Sequence, residues 1–416
     1  MTTNISTHLR RRKSKTAGRP SELPLKGIRV LAVSQFGAGP YATMILAELG
    51  AEIIKIEDPS TGGDVSRSVP PYTIEHDSLY FQSFNRNKKS LTLNIKNREG
   101  RKVFEKLVEV SHAILNNLRG DQVRKLGLNY ASLRRVNPKI VCCSLSGFGT
   151  TGPYASEPGY DYLMQAHAGY MSLTGDPQSP PATCGVSVID HAAGFASALG
   201  LTSAVFAAEK MGKGRDVEVS LIDTAFSMLT YLAIWNLNRE YEPVRRTGSA
   251  HQSLVPVQTF GTRDGHIVIF CAKESFWQKL CKLLDLEALI SDERFKNFSR
   301  RFQNREELLP LLQDKLRTRT TQEWLSVLRG KIPCAPVNNL SEAMRELAAL
   351  DESMIIETSH RVFGKIRQIA SPIKLAPGMK KQRRAPALGE HTVQILRDYL
   401  GYTGKQVADL RKKRVI

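Results

Sequence analysis

Residues 26–57 constrain the fold more than any other stretch. "KGIRVLAVS" is a short β-rich run. "GPYATMILAELGA" reads as a helix ending at Gly50, and "EIIKIED" is a second β-run. Two strands joined through a helix are parallel, because a tight turn cannot connect parallel neighbours. A parallel sheet needs helices on both faces, and the pattern continues accordingly. "GRKVFEKLVEVS" reads as helix, and "HAILNN" and "KIVCCSLS" as strands. The expected architecture is α/β, a Rossmann-like doubly wound large domain. After Asp190 a long helix runs through "AAGFASALGLTSAVFAAEK", whose Gly and Ala content permits close approach of a neighbouring backbone. "GKGRDVEVSLID" returns as turn and strand.

From about residue 235 the character changes. "DGHIVIFC" is a strand after an Asp-Gly turn, and charged helices such as "SFWQKLCKLLDLEAL" follow. The expected organisation is a basic head over 1–21, a large domain from 22–225, a smaller α+β domain over 226–345, and a segment over 346–416 that returns to the large domain. A chain of 416 residues is long enough for two cores.

Composition narrows the compartment and the partners. No run approaches about 18 consecutive apolar residues, so no membrane-spanning helix and no membrane partner are expected. The six cysteines form no C-x-x-C pair, which suits buried thiols in a reducing compartment, the cytoplasm. The net charge of +19 is concentrated in the head (Arg10, Arg11, Arg12, Lys13, Lys15, Arg19), in Lys380, Lys381, Arg383 and Arg384, and in Arg411–Arg414. Such runs are expected to be solvated tails. A transit peptide to the mitochondrial matrix and a nucleic-acid-binding role are the alternatives. The second is disfavoured, because these cations do not interleave with aromatic residues.

Several chemistries are excluded by spacing. Gly147, Gly149 and Gly152 spell G-x-G-x-x-G after a strand, but Pro153 and Pro158 follow, so the segment is a loop rather than the helix start that dinucleotide binding requires. The nine histidines show no metal-ligand spacing, and there is no G-x-S-x-G elbow. Arg86, Lys88, Lys89, Lys96, Arg119, Arg124 and Lys125 together suit a ligand with several phosphates. Asp161 and Asp190 are the carboxylates of interest. Asp190, in "GVSVIDHAAG", is read either as a helix N-cap or as a nucleophile stabilised as an anion at a helix start.

"GAGPYATMILAELGAEIIKIEDP", "FNRNKKSLTLNIK", "SLSGFGTTGPYASEPGYDYLMQAHAG", "GVSVIDHAAG", "GKGRDVEVSL" and "LGEHTVQIL" occur in an order that resembles the class III CoA-transferase family, from about Leu23 onward. The resemblance implies an interlocked, ring-shaped homodimer with acyl-CoA and a small carboxylic acid as substrates, and no permanently bound cofactor. It places the catalytic Asp on Asp190, which a pKa of about 3.9 would leave ionised at neutral pH. Tyr160, Asp161, Gly37, Ala38, Gly147 and Gly149 would shape the pocket, with backbone N–H groups of the two glycine turns as oxyanion donors. CoA contacts carry over onto Lys96, Asn117 and Lys125, with Arg119 beside them.

Some positions depart from the family pattern. Asp58 stands where Arg is common. Gly37 matches the gating glutamine of formyl-CoA transferase. Tyr160 stands where the α-methylacyl-CoA racemase branch has its His. A tyrosine of pKa about 10 is a poor general base, so transfer is favoured over racemisation. "RRTGSAHQSLVPVQTFGTRDGHIVI" resembles the branch acting on short dicarboxylates, the succinyl-CoA:glutarate transferases, and Arg245 or Arg246 would then pair with the acceptor's second carboxylate.

Overall fold

A computed structural model describes residues 23–375 and 382–416. The basic head, with its expected tail or transit-peptide role, and Lys380 and Lys381 lie outside these residues.

Six strands form the main sheet: β1 (Arg29–Val33), β2 (Glu52–Glu57), β3 (Lys89–Thr92), β4 (Ala113–Asn116), β5 (Val141–Ser146) and β6 (Arg215–Ser220). Their spatial order is β3-β2-β1-β4-β5-β6, and every pairing is parallel. This is the doubly wound order, which reverses between β1 and β4. The crossover from β1 to β2 is α1 (Ala38–Glu48), and that from β3 to β4 is α2 (Arg98–Glu109). Between β5 and β6 the chain forms α3 (Asp161–His167) and α4 (Val188–Met211).

The two-residue period of the strands sorts their side chains onto two faces. Leu31, Ile54, Ile114 and Cys142 meet Phe104 and Leu107 of α2. Ile395, Leu396, Val407 and Leu410, from two C-terminal helices, complete that core. Val30, Ala32, Ile53, Leu115 and Cys143 meet Ile45 and Leu46 of α1 and Ala198, Leu201 and Val205 of α4. A separate apolar cluster holds Phe260, Ile267, Trp277, Leu312 and Trp324, around the antiparallel strands Val257–Gly261, His266–Phe270 and Cys334–Pro336. All six cysteines are free thiols. Burial pushes the Cys143, Cys271 and Cys281 thiols up to about 12, so they act as apolar filling.

By length and mean hydropathy alone helix α4 could cross a membrane, although it has no long uninterrupted apolar run. In this fold it lies along the sheet and against α1. A side chain at Gly194 would begin 2.9 Å from the Tyr41 ring and 3.1 Å from the Ala38 carbonyl oxygen. Glycine therefore lets the two helices close up, and their N-termini come side by side.

Candidate active site

Ligands of doubly wound sheets bind beyond the carboxyl ends of the strands where the order reverses. Here that position lies between the loops leaving β1 and β4. Asn117 ties them together: its Oδ1 accepts from the Gln35 N–H at 2.9 Å, and its Nδ2 donates to the Gln35 carbonyl at 2.7 Å.

The loop after β1 is held from below by a buried ion pair. Lys55 stands in the middle of β2, 2.6 Å from Asp64, and neither side chain reaches solvent. Lys55 Nζ also donates to the Ser34 carbonyl at 2.6 Å, and Asp64 Oδ1 accepts from the Phe36 N–H at 3.2 Å. Burial works against the Asp64 charge, but Lys55 and the Ser66 hydrogen bonds outweigh it and hold the carboxyl below its ordinary value. Phe36, at φ 63°, sits in the left-handed region that a non-glycine residue occupies only when its surroundings impose it. The strained turn sets Gly37 and the start of α1, which no described side chain caps. An uncapped helix start offers free N–H groups to an anion.

Asp190 is the third residue of α4, and the neighbouring N-cap, Ser187, makes no side-chain cap. Asp161 caps instead, from the start of α3: its Oδ2 accepts from the N–H of Ile189 at 2.7 Å and of Asp190 at 3.0 Å. Gln165 holds Asp161 Oδ1 and accepts the Cys184 N–H at 2.9 Å. The capping role, one of two readings of Asp190 in the sequence, thus belongs to Asp161. The Asp190 carboxylate receives no hydrogen bond from any described residue. Burial, followed by the Asp161 charge, pushes it up to about 7. The expectation of an ordinary, fully ionised aspartate is corrected: desolvation and a like charge outweigh the field of the helix.

Gly37, Ala38, Gly147, Tyr160, Asn117 and Arg119 line one cavity of about 200 Å³ with Asp190. A neighbouring cavity of about 240 Å³ includes Ser34, Asp58, Gly63 and Lys96, and Gln35 and Leu118 line both. The two adjoin at Gln35 and Leu118, with Asp190 lining the first and Lys96 the second. Tyr160 is largely exposed and stands edge-on to Phe36, with ring centres 6.1 Å apart. Gly147 backs onto Gly159, where a side chain would begin 2.5 Å from the Cα. The Gly149 N–H donates to Ser146 Oγ at 3.0 Å, so it is not free to serve as an oxyanion donor.

The cations divide. Arg119 and Lys125 each approach Asp121 at 2.6 Å, and Lys125 lines neither cavity. Lys96 is exposed, 4.0 Å from Asp58. Arg245 and Arg246 do not act as a pair. Arg245 Nη1 donates to the carbonyls of Ser179 and of Pro180, at 2.9 Å for the latter, holding the loop that leads to α4. Lys55, Asp64 and Gln165 escaped the sequence reading. Only Lys55 left a signal, as a lysine inside an apolar parallel strand, where charge is rare unless paired. Among the described residues no cluster of His, Cys, Asp and Glu could hold a metal.

Residues 25–392 match the profile of CoA-transferase family III, and the chain belongs to that family of enzymes. It is 33% identical over 395 residues to succinyl-CoA:glutarate CoA-transferase of Homo sapiens, covering 94% of this chain and 90% of the relative. It is 33% identical to succinyl-CoA:mesaconate CoA-transferase of Haloarcula hispanica, over 89% of this chain and 95% of the relative. The crystal structure of a CAIB/BAIF family protein from Brucella suis superposes with a TM-score of 0.77 at 31% identity, covering 91% of this chain and all of that one.

Proposed function

We propose that the enzyme moves CoA from succinyl-CoA to a free short dicarboxylate by covalent catalysis through Asp190. The observation that carries this reading is an unbonded carboxylate lining the first of two adjoining cavities, pressed against Gly37 beside an uncapped helix start. Glutarate and mesaconate, named for two relatives, are both short diacids.

Asp190 attacks the thioester carbonyl and expels CoA thiolate, leaving a mixed anhydride. The thiolate then attacks the aspartyl carbonyl of that anhydride, releasing succinate and forming an aspartyl-CoA thioester. The acceptor carboxylate attacks the same carbon, giving a new anhydride and thiolate. A last attack, on the acceptor's acyl carbon, yields the new thioester and restores Asp190. Every step exchanges one activated acyl group for another, so positioning and exclusion of water are the main demands. The N–H groups at the start of α1 serve the developing oxyanion. Asn117, Arg119, Lys96 and Lys125 serve CoA, and Tyr160 and Gly147 wall the pocket. Attack requires the ionised form, which a pKa near 7 leaves about half populated at neutral pH.

The working unit is a homodimer in the cytoplasm. The proposed division is a large domain over 22–225, a small domain over 226–345 and a segment over 346–416 that returns to the large domain; what supports it is the separate apolar cluster of residues 255–332 and the packing of the C-terminal helices on the large-domain core. The test is incubation with succinyl-CoA, with and without hydroxylamine, and mass spectrometry of the Asp190 peptide, beside a panel of mono- and dicarboxylate acceptors. An adduct on Asp190 and preference for diacids are expected. Turnover without modification of Asp190 refutes the covalent route, and equal use of monoacids refutes the diacid assignment.

A further inference from the structure

Arg305 opens the helix Arg305–Leu316 and is 6% exposed. Its Nη2 reaches the His251 carbonyl at 3.5 Å, and its Nη1 is buried without a partner. Arg246, just before the turn Thr247–Ser249, has its Nε buried and also without a partner. Among the described residues no carboxylate stands within ion-pair distance of either. Arg67 and Arg301 also carry an orphaned nitrogen, but each has a carboxylate, Glu57 at 2.8 Å and Glu274 at 2.9 Å.

Burial lowers the Arg305 guanidinium from its ordinary value, and the Arg246 charge lowers it further. Glu306 and Tyr241 act in the opposite sense, but neither pairs with it. A desolvated guanidinium that also feels a second cation's charge is unfavourable until an anion joins it. Their N–H groups match the two oxygens of a carboxylate, which would answer both orphaned donors.

We propose that Arg246 and Arg305 form a second anion site, which takes a carboxylate of a free short-chain diacid. Neither arginine lines the Asp190 cleft. The choice of a diacid rests on the transfer reading above. The geometry alone asks for an oxyanion.

The test is calorimetric titration of full-length Asp190→Asn protein, which cannot form the anhydride, with glutarate, propionate and inorganic phosphate. Saturable glutarate binding is expected, weakened about tenfold or more by Arg246→Gln. Arg305→Lys should weaken it similarly, because it keeps the charge and loses the fork. It also avoids the risk that an uncharged residue at this buried position fails to fold. Glutarate binding unchanged in both variants overturns the proposal. So does tighter binding of phosphate than of glutarate, or a change of oligomeric state in the variants with glutarate binding intact, which would assign the arginines to a subunit contact. Turnover of the wild type with succinyl-CoA and glutarate is measured separately. Its absence would count against the transfer reading and leave the binding result to stand or fall alone.

Discussion

Gly37 leaves no room beside Asp190: a Cβ at position 37 would lie 2.6 Å from Asp190 Oδ2. The carboxylate occupies the space that any other residue at 37 would fill.

Gly37→Ala should therefore push the nucleophile out of line. The backbone at Gly37, φ −97°, lies outside the left-handed region that favours glycine, so the variant chiefly reports the contact with Asp190. A displacement of about an ångström at a reacting atom costs roughly a hundredfold. Steady-state kinetics should show kcat falling by about that factor, with CoA product inhibition little changed. Wild-type kcat in Gly37→Ala would mean the contact does not set the geometry of attack.

Asp161→Asn keeps an oxygen for the N–H groups of Ile189 and Asp190 but removes the charge that raises Asp190. The acidic limb of the kcat/KM–pH profile should move from near 7 to lower pH by on the order of one unit. An unmoved limb would show that Asp190 does not titrate in that profile.

The same shift has a signature in stability. Asp190 is raised from 3.8 to about 7 in the folded chain, so between those pH values the native state binds more protons than the unfolded one. Stability contributed by the protonated form is complete below the lower value and is lost as pH rises to the upper one. Asp190→Asn abolishes this loss. Compared with wild type by urea denaturation, it should gain on the order of 2 kcal/mol between pH 5 and pH 8. An equal difference at both pH values would contradict the raised pKa.

The Lys55–Asp64 pair makes a separable prediction. Asp64→Leu alone strands a buried ammonium and should cost about 3–5 kcal/mol. Lys55→Met with Asp64→Leu removes both charges and should recover most of that stability. Turnover should stay low in the double variant, because Ser34 and Phe36 have lost the partners that shape the turn before Gly37. A stable double variant with wild-type turnover would show that the tether does not serve the site.

The local pattern of the chain was enough to reveal the parallel sheet. Strand and helix periodicity in residues 26–57 follows from side-chain alternation and helix pitch, which act over a few residues, and the loop after β5 is legible from Pro153 and Pro158 in the same way. Asp190 was legible as a carboxylate at a helix start, but its chemistry was not. Whether an aspartate caps its own helix or stands free depends on a competitor, and Asp161 lies 29 residues away in sequence. Its acidity depends equally on tertiary structure, since desolvation and the charge of Asp161 exist only once α3 and α4 meet. The adjacent arginines diverge for the same reason. Arg245 and Arg246 share one stretch of charge in the sequence, and the fold turns one onto the carbonyls of Ser179 and Pro180 and leaves the Nε of the other buried without a partner. Short-range order is encoded residue by residue, whereas partners and electric fields are assigned only by packing between distant segments.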